Sequence, residues 1–189
     1  MLLDDQLQIR RAFGILFVLV SVAVSSASAL SLVISLHDYA MYWYAVVWLG
    51  SFGIPFGAYF AKSRAKLAMI RQRMKNSVSW PTPVKAVNGL CWALPFALIA
   101  VFPSMIQYFI LFGIGLGNLS TYIFMRRFSG LANNEQLMVG AVSLAFVIVA
   151  VQIDNTIFLD NQPFAVFLSR ILIAISYALG GIFALLARK

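Results

Sequence analysis

"QPFAVFLSRILIAISYALGGIFALLARK", residues 162–189, decides the fold class: between Pro163 and Ala187 it carries one charge, Arg170. At about 1.5 Å per residue such a run crosses a hydrocarbon core of about 30 Å. A helix on the surface of a soluble protein would show a charged face opposite its apolar stripe. This one does not, so it reads as a transmembrane helix.

Five further runs of this kind lie upstream, at residues 12–36, 39–61, 84–102, 104–125 and 136–153. The expected fold is therefore all-α: a bundle of six transmembrane helices forming one membrane domain over residues 1–189, with spans at 12–36, 39–61, 84–102, 104–125, 136–153 and 163–187. Composition agrees, since 62% of the 189 residues are hydrophobic and 11% are charged, against about 45–50% and about 25% in soluble domains. The tightest connection is between the third and fourth spans, where Pro103 marks the turn and about 40 residues must make two crossings. A partly re-entrant pair is the alternative there. Pro55 and Pro95 fall inside spans, where neighbouring helices satisfy the carbonyls that proline frees.

The charges sort by side. Arg10, Arg11, Lys62, Arg64, Lys66, Arg71, Arg73, Lys75, Lys85, Arg126, Arg127, Arg188 and Lys189 all fall at connections on one side, which leaves Arg170 as the exception among 14 basic residues. By the positive-inside rule that side is the cytoplasm, and both termini lie there. The other side receives His37, Asp38, Asp154 and Asp160, and the parity of six spans agrees. Tyr39, Tyr42, Trp43 and Tyr44 at one boundary and Trp80 at the other fit interfacial belts. Residues 10–29 resemble a signal peptide, with two arginines, an apolar run and Ala27-Ser28-Ala29. The run continues unbroken to Leu36, so retention as a first span is expected.

The connection at 62–83 is a basic amphipathic loop. Leu67, Ile70, Met74 and Val78 form a stripe, and Lys62, Arg64, Lys66, Arg71, Arg73 and Lys75 lie mostly off it. This predicts a surface helix on the anionic inner leaflet. The net charge of +8 thus points to lipid and not to nucleic acid.

Catalytic groups are scarce. The single histidine, His37, lies in an outer turn, away from any nucleophile, and the lone Cys91 excludes an intrachain disulfide. "GIGLGN", residues 113–118, resembles the GxGD motif of intramembrane aspartyl proteases, but Asn118 stands where the aspartate is needed, and an amide cannot exchange that proton. No cofactor and no metal site are expected; the oxygen-rich "DNTIFLDN", residues 154–161, reads as a solvated loop.

Small residues are more informative. Gly53 with Gly57, and Gly113 with Gly117, are small-xxx-small pairs that let helices approach closely. Ser21, Ser25, Ser28 and Ser35, at spacings of 4, 3 and 7, share one face of the first span. Asn118, Ser21 and Tyr177 fall about 12–17 Å from the basic ends, near the midplane, and with Arg170 they are the candidate lining of any ligand site or pore. Arg170 lies about one turn below the outer boundary, where it can snorkel, and Asp160 or Asp154 is its expected ion-pair partner.

The expected function is that of a non-catalytic multi-pass protein, in the cell membrane, that self-assembles or serves as subunit or scaffold of a larger membrane complex. The alternative is a small transporter or channel for a neutral or weakly polar solute. A cavity reaching the midplane past Ser21, Asn118 and Tyr177 would separate the two.

Overall fold

The computed structural model describes residues 3–63, 68, 80–130, 133–158 and 160–186. They form helices and, among the described residues, no strand. In chain order the long helices are α1 (Leu3–Leu36), α2 (Tyr42–Lys62), α3 (Thr82–Leu98), α4 (Ile106–Ser129), α5 (Asn134–Ile153) and α6 (Gln162–Leu185). All except α3 are long and apolar enough to cross a membrane. The 17 residues of α3 fall just short, at about 25 Å by helical rise. The 62–83 loop and its stripe lie almost wholly outside the described residues; Lys62 closes α2.

Local chemistry sets the helix ends. Pro103 opens a single 3₁₀ turn, Pro103–Met105, between α3 and α4, at the position the sequence marks. Gly130 ends α4 with φ 64°, a left-handed cap conformation that suits glycine. The Asn161 side chain accepts the Phe164 N–H at 3.2 Å and so caps α6, with proline in the first turn. At its far end α5 does not stop at Ile153 but continues as a π turn, Asp154–Phe158.

In space the helices run in the order α2, α1, α6, α5, α4, α3. Adjacent helices are antiparallel, as the cross-contacts show. Between α3 and α4, Trp80 meets Ser129, Trp92 meets Thr121 and Phe96 meets Gly113, numbers rising on one helix as they fall on the other. The same holds for Arg10 with Phe183 and Phe17 with Tyr177 between α1 and α6. The first and last helices therefore meet in the middle of the row, and α2 and α3 flank it. The core forms between α1, α4, α5 and α6, around Val24, Leu111, Val139, Ile173 and Ala174, while α2 contributes no buried residue.

Within lipid, helices associate through close packing, because the tails are as apolar as the side chains. Glycine provides that packing at three crossings. A Cβ on Gly181 would lie 2.9 Å from the Gly14 carbonyl oxygen, one on Gly180 2.3 Å from Val139, and one on Gly140 2.9 Å from the Leu119 backbone nitrogen. Gly113 and Gly117 seat the rings of Phe96 and Trp92 from α3, at 2.6 and 2.2 Å from an added Cβ. The pair Gly53 and Gly57 differs from the sequence expectation: among the described residues no other part of the chain comes within 4 Å of an added Cβ at either. They face away from α1, so this pair brings no two of the described helices together.

Candidate functional site

Ser28, Ser31 and Ser35 lie at spacings of three and four on α1, hence on one face near its outer end. Across from them are Arg170 and the first turns of α6, and Tyr44 of α2 closes the third side. Together they line a half-open cavity of about 250 Å³, whose walls also include Gln162 and Phe167. It lies where the end of α1 meets the starts of α2 and α6. The half-buried Arg170 guanidinium lies 5.6 Å from the Trp48 ring centroid, within cation–π range. Trp48 in turn donates its indole N–H to Ser31 Oγ at 3.2 Å, which fixes the ring under the arginine. Ser28 is 1% exposed, and its hydroxyl has no hydrogen-bond partner among the described residues.

The expected ion pair of Arg170 is not formed. Among the described residues no carboxylate lies within ion-pair distance of it. Asp154 instead accepts from Gln107 Nε2 at 2.7 Å and from the Tyr108 hydroxyl, tying the π turn to the start of α4. The π turn carries Asp154 toward α4, whereas Arg170 points toward α1 and α2. Asp160 is exposed.

The other candidate lining residues do not join the cavity. Asn118, 2% exposed, donates to the Ile114 carbonyl at 2.8 Å, and Tyr177 packs edge-on to Phe17. Ser21 and Ser25 are half-buried on α1, deeper than the cavity walls. Of the serine face, Ser28 and Ser35 line the cavity.

A charged pair that the sequence reading missed stands at the opposite end of the bundle. Glu135, 2% exposed, lies in the first turn of α5 with its carboxylate 3.5 Å from Arg10 Nε, and the Arg10 guanidinium lies 5.2 Å from the Phe183 ring centroid. This cluster joins α1, α5 and α6. The signal was present in the sequence: Asn133 to Gln136 holds the one acid beside a span on the basic side apart from the first few residues. Between α3 and α4 a second polar seam links Ser120 Oγ to Asn88 Oδ1 at 2.8 Å and the Trp92 indole to Thr121 Oγ1 at 3.1 Å. Among the described residues no three His, Cys, Asp or Glu side chains group closely enough to hold a metal ion.

Chemically, the cavity presents donors and no carboxylate, and it has no nucleophile paired with a base. It is suited to binding. Comparison with known proteins returned no match of significance: no family model, no curated relative and no solved structure is similar to this chain.

Proposed function

We propose that the chain is a six-pass protein of the cell membrane, cytoplasmic at both ends, that acts without catalysis and assembles with a second copy of itself through the outward face of α2. The observation that carries this reading is the state of the glycines. Gly14, Gly113, Gly115, Gly117, Gly140, Gly180 and Gly181 are each pressed against another helix, whereas a Cβ on Gly50, Gly53 or Gly57 would meet nothing within 4 Å among the described residues. With the exposed Val46 these three form a stripe at spacings of 4, 3 and 4. Glycine costs a helix about 1 kcal/mol relative to alanine in water, and a stripe of it opens a flat groove for a helix backbone. A small-residue stripe is also self-complementary, as a two-fold interface requires.

Six crossings are supported by α3, which pairs with α4 from Trp80 and Ser129 at one end to Phe96 and Gly113 near the other. A re-entrant segment would pair over part of that length. The orientation rests on charge: Arg10, Lys62, Lys85, Arg126 and Arg127 at one end, Asp38, Asp154 and Asp160 at the other. Contact of the 62–83 loop with the anionic inner leaflet belongs to the same reading. The transporter alternative draws less support, because Asn118 is buried and bonded to the Ile114 carbonyl and Ser21 lies apart from the cavity.

The test is the mass of the protein in lipid nanodiscs. The wild type is expected at a multiple of the 20.9 kDa chain, and the double variant Gly53→Leu with Gly57→Leu at one chain. A single-chain wild type would contradict self-assembly, and a mass that is no multiple of the chain would point to a different partner.

A further inference from the structure

We propose that the cavity between α1, α2 and α6 binds a phosphate group through Arg170, with the headgroup of an outer-leaflet phospholipid as its source. Three observations converge. Arg170 carries a fixed charge, and among the described residues no carboxylate pairs with it, so its counter-ion is to be supplied from outside. Its side chain lines a half-open cavity of about 250 Å³ whose other polar walls come from Ser28, Ser31, Ser35, Tyr44 and Gln162. Ser28 is 1% exposed and its hydroxyl has no partner among the described residues, which leaves an unsatisfied donor beside the cavity.

The donor set narrows the ligand class. A guanidinium and hydroxyls arriving from two helices suit an anion with several oxygens in three dimensions, and charge-assisted bonds from arginine to phosphate are strong ones. Depth selects the source. Arg170 lies about one helical turn below the outer boundary when counted from the basic end of α6, within reach of headgroup phosphates. The Trp48 ring, 5.6 Å from the guanidinium, holds it at the cavity wall. This inference stands independently of assembly through α2, since the glycine stripe faces away from α1.

The test is the rise in Tm that a bound ligand causes, measured in maltoside micelles with three probes: dioctanoyl phosphatidylglycerol, inorganic phosphate and uncharged dioctanoylglycerol. Phosphatidylglycerol is expected to raise Tm at low concentration and dioctanoylglycerol to leave it unchanged. Arg170→Gln should raise the half-saturating concentration about tenfold or more, and Ser28→Ala about threefold, as expected for losing a charged and a neutral hydrogen bond. Should Arg170→Gln fail to fold, Arg170→Lys and Ser28→Ala carry the comparison. A response to inorganic phosphate alone supports the phosphate site and overturns the lipid source. Equal responses to phosphatidylglycerol and dioctanoylglycerol, no response to either phosphate, or affinity unchanged in the variants would overturn the site.

Discussion

Gly14 and Gly181 meet face to face where α1 crosses α6: a Cβ on either would stand 3.0 Å or less from the carbonyl oxygen of the other. The obstacle is backbone on both sides, so neither helix can yield by turning a side chain. This contact brings the first and last helices together at the centre of the row, and it separates structural glycines from those left free on α2.

Gly181→Ala should therefore destabilise the fold by about 1–3 kcal/mol, the usual cost of overpacking a tight contact. Gly53→Ala should be neutral or mildly stabilising in the isolated chain, because an added methyl there meets open space. Reversible unfolding in mixed micelles measures both. Equal losses at the two sites would show that the crossing is not where the structure puts it.

Arg10→Gln should cost about 1–3 kcal/mol, less than a fully buried pair would lose, because the Arg10 side chain is 29% exposed and water screens what it gains. Most of that loss falls on Glu135, which is nearly enclosed. The Arg10→Gln, Glu135→Gln double variant should recover part of the loss. Strict additivity of the two single changes would show that the pair is not coupled.

Asp154→Ala removes the acceptor shared by Gln107 and Tyr108. Gln107 is 4% exposed, so its amide stays buried with a bond missing, at a cost of about 1–3 kcal/mol. Asp160→Asn, by contrast, should leave stability unchanged, since that carboxylate is exposed and does not pair with Arg170. A matching loss from Asp160→Asn would restore the ion pair expected from the sequence.

The helices themselves were legible because length and apolarity alone mark a span, and the turn at Pro103 fell where the sequence put it. Neighbours were not legible. Hydrophobic patterning fixes which face of a soluble helix is buried, but a helix that is apolar all round gives no such phase. Arg170 accordingly showed its depth and not its direction, and the expected partner was the nearest acid in sequence. The π turn that carries Asp154 to Gln107 left no mark in composition. The adjacent Gly180 and Gly181 were a signal available in advance: two glycines side by side point to different neighbours, and in the structure one meets α5 and the other α1. The spacing of Ser28 marks a helix face and nothing more; the fold adds that it lines a cavity.

Sidedness follows from charge and is checked by single cysteines in a Cys91→Ala background. Thr82 and Gln162 are both exposed, at the starts of α3 and α6. An impermeant thiol reagent applied to intact cells should label a cysteine at Gln162 and spare one at Thr82. Labelling of both, or the reverse pattern, would contradict six crossings with cytoplasmic ends.

Assembly through α2 is tested most directly by disulfide crosslinking in native membranes, again without Cys91. Single cysteines at Gly53 and at Gly57 should each give a crosslinked species of two chains. A cysteine at Ser51, half-buried and turned about 130° around the helix from the centre of the stripe, should stay uncrosslinked under the same oxidation. Uncrosslinked chains at both glycine positions, or crosslinking as strong at Ser51, would contradict a two-fold contact along this stripe.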